Sequence, residues 1–386
     1  MKLYTTKEAA KFLSVSVRTL KYWRKNGKLV PEIKGANGKR GGRGKGAKYS
    51  EEQLKRVQFT SKRVQTKIEE IIQNQRRLGY LKLPNDSLSH KIIKFDAEEY
   101  AEIIGDNEPC TVNECPLKDK SGKPLLDQYG KTIFVRTRYW LNHIEGFDDM
   151  TPLRQFDLLI VAVYSAAVEQ CWDVITINQF CDALTGNTNH NTHAPSPLKE
   201  LVISSIKRLM GTVITVDMTE TCKRMKYKTD KPKRTAPILP CELQENIKVN
   251  GQKTTIVKIY AESPLTEIAE IKNQILRISI ELLNVQIDRS PRAVKTEGYI
   301  VSWVETIVRH KNMNANIKLN NIYEYAEVDE ADRSAKRNVR KAVEATLNHL
   351  KEKNRISNWI YTMEDSCGHV VPYKSGNPIY GIQILR

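Results

Sequence analysis

The stretch YTTKEAAKFLSVSVRTLKYWRKNGKL, residues 4–29, reads as two short helices around a tight turn. Thr6 offers a side-chain oxygen to the first turn of a helix over residues 7–13, which buries Ala9, Ala10 and Leu13. Ser14, Val15 and Ser16 make the turn. Ser16 then caps a second helix over residues 17–26, with Val17, Leu20 and Trp23 inward and Gly27 in the left-handed position that ends it. Two helices joined so closely make a helix-turn-helix, a motif whose second helix enters the major groove of DNA. That helix exposes Arg18, Thr19, Lys21, Tyr22, Arg24 and Lys25.

Downstream lies GANGKRGGRGKGAKYS, residues 35–50, with six glycines, five basic residues and no acid. It is not a nucleotide loop. Gly41 and Gly46 have the right gap, but Ala47 stands where the phosphate-binding lysine belongs, and Lys48, one residue late, is followed by Tyr49 rather than by the Ser or Thr that holds Mg²⁺. Glycine lets a backbone approach phosphates closely, and Lys39, Arg40, Arg43, Lys45 and Lys48 can neutralise them. Next, Ser50 with Gln53 three residues on reads as a capping box that starts another helix.

The words YTTKEAAKFLSVSVRTLKYWRKNGKL and KYSEEQLKRV resemble the MerR/excisionase-type winged helix-turn-helix, over about residues 3–57. The resemblance implies that the glycine stretch is the wing that touches the DNA backbone.

Charge agrees. The chain has 386 residues and a net charge of +17, and residues 1–63 alone hold eighteen Lys/Arg against four Glu. The other 323 residues carry 44 basic and 41 acidic side chains. A basic head on a nearly neutral body points to a polyanionic partner. No run approaches the length of a membrane span. Seven scattered cysteines and no signal-peptide pattern at the N-terminus lead to the expectation of a reduced, cytoplasmic setting.

Residues 61–149 read as a connector. A charged helical segment with a sparse stripe of Leu54, Val57, Val64, Ile68, Ile71 and Ile72 leads into it, and strands and loops follow. Cys110 and Cys115 lack a second Cys/His pair, and His190 and His193 sit in an Asn/Thr/Pro-rich loop. Neither pair is taken as a metal site, and no cofactor is expected.

From residue 150 the order is clearer. TPLRQFDLLIVAVYSAAVEQ, residues 151–170, reads as an apolar helix capped by Thr151 with Pro152 in its first turn. Thr176 caps a short helix ending at Gly186, and SPLKELVISSIKRLMG, residues 196–211, makes the next, with Leu198, Leu201, Val202, Ile206 and Leu209 inward. A strand, a basic loop with Lys223, Arg224, Lys226, Lys228, Lys231, Lys233 and Arg234, and further strands follow. The same order recurs: a long helix with Pro291 early in it, a short helix, a long helix, then strands. On that last helix Arg333, Lys336, Arg337, Arg340 and Lys341 share one face, with Val339, Val343 and Leu347 inward.

The order and two words, DLLIVAVYSAAVEQCWDVITINQFCDALTG and IVKIYAESPLTEIAEIKNQILRISIELLN, resemble plasmid replication initiators of the two-winged-helix type, over about residues 150–386. The resemblance implies an α+β, predominantly helical chain: a MerR-like winged helix-turn-helix head (1–60), the connector (61–149) and two tandem winged-helix domains (150–288 and 289–386). It implies double-stranded DNA as partner, as origin repeats or an operator. It also implies a homodimer in some states and contact with host replication proteins. A non-replicative transcriptional regulator or excision factor is the other reading. No enzyme is expected. His190 and His193 lack the His-hydrophobic-His spacing of a nicking site, and there is no Walker A lysine.

Overall fold

The computed structural model describes residues 3–12, 48–51, 54, 77–86, 89, 90, 92, 111–116, 123–127, 129–132, 134–143, 153–187, 194–217, 233–249, 252–285, 289–310, 313 and 315–385. The chain divides into two units, residues 1–75 with 248–253, and residues 76–247 with 254–386.

In the first unit, β1 (Leu3–Thr5) leads into α1 (Thr6–Phe12) and pairs antiparallel with β2 (Lys48–Ser50), Tyr4 opposite Tyr49. The helix starts one residue before the position read from sequence. Glu8 is three residues after Thr5, and the two cap each other: Thr5 N–H donates to Glu8 Oε2 at 2.8 Å and Glu8 N–H to Thr5 Oγ1 at 3.4 Å. Ala9, Tyr49 and Leu54 are buried.

In the second unit β3 (Tyr80–Pro84), β4 (Thr111–Pro116) and β5 (Phe134–His143) precede α2 (Asp157–Glu169), β6 (Val174–Thr176), α3 (Ile177–Leu184) and α4 (Ser196–Gly211). Four strands follow: β7 (Thr212–Asp217), β8 (Lys233–Pro237), β9 (Cys241–Val249) and β10 (Gln252–Ile259). After α5 (Pro264–Ile271), β11 (Ile275–Ser279) and a 3₁₀ turn (Ile280–Leu283) come α6 (Pro291–Arg309), β12 (Asn316–Lys318), α7 (Leu319–Tyr325) and α8 (Arg333–Glu352). The last strands are β13 (Asn358–Glu364), β14 (Val370–Pro372) and β15 (Gly381–Leu385).

One arrangement occurs twice. A helix, a short strand and two helices are followed by strands, and the short strand pairs with the last strand, which pairs on its other side with an earlier strand of the same copy. The order is β6-β10-β9 in the first copy and β12-β15-β13, with β14 beyond, in the second. Local chemistry places the helix starts. Thr176 and Gln179 form the capping box of α3, and Ser290 accepts the N–H of Ala293 with Pro291 at the first position of α6.

Two details differ from the sequence reading. The first helix of the body begins at Asp157, because its carboxylate accepts the N–H of Arg154 at 2.8 Å and closes a turn ahead of the helix; Thr151 and Pro152 lie outside the described residues. The strands flanking the basic loop, β7 and β8, pair with each other and join β4 and β5 in a separate four-stranded sheet. The strands that close the first copy's sheet come later, with Ile256 of β10 opposite Thr176 of β6.

One buried cluster runs through both copies, from Leu159 and Val163 of α2 through Ile206, Val301 and Val304 to Val343 and Leu347. Every residue from Asp157 to Ala167 is buried, so α2 is the central helix and is covered all round. The connector contributes as well. Leu81 of β3 is buried opposite Ile278 of β11. Beside it Lys82, 4% exposed, meets Glu270 at 2.5 Å and Glu262 at 3.3 Å. Burial alone lowers the pKa of this ammonium, but Glu270 and Glu262 hold it above the usual lysine range.

Candidate nucleic-acid interface

α8 has a buried side and a cationic side. Ala335, Val339, Ala342, Val343, Thr346, Leu347 and Leu350 are buried. Arg333, Arg337 and Lys341 are exposed, and Lys336 and Arg340 are half-buried. Among the described residues no carboxylate lies within ion-pair distance of any of these five. They crowd the N-terminal half of the helix, where the helix dipole already presents partial positive charge and each cation costs stability. Asp332 offsets part of this: its side chain accepts the N–H of Ala335 at 2.8 Å, and that bond holds its carboxyl below the usual range. Helix stability does not explain such an arrangement. It concentrates positive potential on this face of the protein.

Neighbouring elements hold this face in place. Lys336 Nζ lies 5.4 Å from the ring centre of Tyr323 on α7, a cation–π contact. From β13, Trp359 Nε1 donates to Asn348 at 3.0 Å and the Tyr361 hydroxyl to Glu344 at 2.8 Å. Glu344 is the acid nearest Arg340 and Lys341 along the helix, and it is engaged by the phenol.

The corresponding helix of the first copy, α4, is different. Among the described residues two of its three cations, Lys207 and Arg208, have carboxylate partners within the protein. Arg208 is buried against Asp157, and exposed Lys207 pairs with Glu245 at 3.0 Å.

The other expected positions fall in three groups. Arg18, Thr19, Lys21, Tyr22, Arg24, Lys25, Lys39, Arg40, Arg43 and Lys45 lie outside the described residues, as do Lys223, Arg224, Lys226, Lys228 and Lys231. Lys48 is half-buried on β2 opposite Thr5, and Lys233 opens β8. Arg234, 24% exposed, pairs with Glu267 of α5 and donates to the Glu262 carbonyl at 3.3 Å, so a protein carboxylate meets its charge. Cys110, His190 and His193 lie outside the described residues, and Cys115 lies in β4.

Residues 5–40 match the family model of MerR family regulatory proteins. The match takes in Arg18, Arg24 and their neighbours together with Lys39 and Arg40. Among solved structures, two crystal structures of domains 2 and 3 of RctB, one of them of selenomethionine derivatives, align at 10% identity over 74% of this chain and 96% of theirs, with a TM-score of 0.29. A comparison with curated proteins gives no match.

Proposed function

We propose that the chain is a sequence-specific DNA-binding replication initiator of a plasmid or similar mobile element. It reads repeated origin sequences in double-stranded DNA through a MerR-like head and two tandem winged-helix domains. The observation that carries this reading is the basic face of α8, five cations without a carboxylate partner among the described residues on the third helix of a repeated helix–strand–helix–helix unit. In a winged helix the third helix enters the major groove and the strand pair after it lies along the backbone. Phosphate neutralisation then positions the protein, and arginine forks such as Arg337 read guanine edges. A homodimer on paired sites and host replication proteins are the further partners of this reading, and the chemistry is binding, without strand cleavage.

A second reading, a transcriptional regulator or excision factor, is favoured by one observation, the match of residues 5–40 to a regulatory family. Footprinting with the full chain on DNA around its gene separates the two. Protection over direct repeats supports the initiator, and protection confined to a promoter operator supports the regulator. Absence of any protected site at moderate salt, or metal-dependent cutting, sinks both.

A further inference from the structure

Between β13 and β14 the chain turns through Asp365, Ser366, Cys367, Gly368 and His369, and three side chains of this turn converge. The carboxylate of Asp365, the thiol of Cys367 and the imidazole of His369 bring their ligand atoms within 4.8 Å of one another. The backbone holds them there. Asp365 Oδ1 accepts the N–H groups of Cys367 at 2.9 Å and His369 at 2.8 Å, and the Asp365 N–H donates to the His369 carbonyl at 2.9 Å. Gly368, with φ of +80°, takes the left-handed position that closes the turn and donates to the Asp365 carbonyl at 3.0 Å. With Oδ1 occupied, Oδ2 stays outward, 3.5 Å from Nδ1 of His369, whose side chain is 78% exposed.

We propose that this turn binds a borderline-soft divalent transition metal, Zn²⁺ being the natural occupant, through Asp365 Oδ2, Cys367 Sγ and a ring nitrogen of His369, with water in the fourth position. Thiolate and imidazole together select zinc-like ions over Mg²⁺ or Ca²⁺, which take oxygen ligands. Tetrahedral zinc needs its donors about 2.0–2.3 Å from the ion. Side chains this exposed reach that geometry by small rotations, because the backbone of the turn is already set. Binding releases the thiol proton to solvent as Cys367 becomes a thiolate. The turn thereby goes from one negative charge to neutral on the hairpin that follows the basic helix. The site rests on the turn alone and is independent of the DNA reading.

Co²⁺ titration of the full chain in a phosphine reductant tests it. A sulfur-to-cobalt charge-transfer band in the near ultraviolet is expected, with d–d bands of tetrahedral intensity, saturating at one ion and bleached by Zn²⁺. Cys367→Ser removes the charge-transfer band. His369→Ala weakens Co²⁺ binding at least about tenfold, since even outer-shell partners are worth that much. Cys171→Ser, a change at another exposed thiol, leaves the spectrum as it was. Far-ultraviolet circular dichroism is unchanged throughout, because the altered residues are exposed. No band at millimolar Co²⁺, a band that survives Cys367→Ser, or an affinity indifferent to His369→Ala overturns the proposal.

Discussion

Tyr361 of β13 donates its hydroxyl to Glu344 of α8 at 2.8 Å and holds the carboxylate that stands one turn beyond Arg340. Burial, reinforced by that bond, keeps the phenol well above its usual pKa, so it remains a neutral donor. In an isolated helix Glu344 would pair with Arg340 or Lys341, four and three residues before it. In the protein the strand takes it away from them.

Tyr361→Phe therefore has two expected effects. Loss of the hydrogen bond costs about 1 kcal/mol in equilibrium unfolding. Release of Glu344 toward Arg340 and Lys341 weakens DNA binding at low salt. Glu344→Gln keeps a partner for the phenol and strengthens binding. DNA titrations in which all three proteins bind alike would show that the pair is structural only.

Arg337→Ala combined with Arg340→Ala tests the interface directly. Arg337 is exposed and Arg340 half-buried, and Val339 and Val343 carry the packing on the other side. The thermal midpoint stays close to the parent's. If each arginine neutralises one phosphate, the slope of log K against log [salt] loses about 1.8 in magnitude. Origin protection disappears at moderate salt. A normal footprint from a folded double mutant excludes α8 as the recognition helix.

Glu297 of α6 gives a pH dependence with a definite sign. Burial, with only weak relief from a long bond to the Val285 N–H (3.4 Å) and from Arg289, holds its carboxyl well above the usual range. Between the ordinary glutamate value and that raised one, the folded state keeps a proton that the unfolded state has lost. Stability due to this group is therefore fully present below about pH 4 and falls as pH rises through the window. Glu297→Gln removes the dependence. The variant should match the parent at about pH 4 and exceed it at neutral pH. Urea midpoints that differ by the same amount at both pH values would contradict this.

Much of the body is local in its coding and so legible in sequence. The apolar stripe of α8, the Thr176–Gln179 cap and the span of α4 each depend on residues within a few positions of one another. Pairings at long range are not coded that way. Nothing near Leu81 announces Ile278, and Lys82 reads as a solvated lysine until Glu262 and Glu270 are brought beside it. The same reason limits the site. Sequence gives the sign of a charge and not its partner, so Arg234 counts with the basic loop although it pairs with Glu267, and the Asp365 turn shows no spacing that marks a metal.

Arg208 is the plainest case, because it sits among the cations of α4 yet points inward. Its guanidinium, with a side chain 4% exposed, donates to Asp157 at 2.8 and 3.2 Å and to Ser205 at 2.9 Å. Asp157 is fully buried and also accepts the N–H of Arg154. Removing one member leaves the other charge stranded in a medium that solvates it poorly. Asp157→Ala is accordingly expected to cost about 3–5 kcal/mol. Replacing both ions with apolar residues of similar volume, Asp157→Leu with Arg208→Met, removes the stranded charge and should recover most of that loss. It should not recover all of it, because the Arg154 N–H still loses its acceptor, at about 1 kcal/mol. Urea unfolding of the two single mutants and the double mutant measures the coupling. If the double mutant is as unstable as the sum of the singles, the ion pair contributes nothing cooperative.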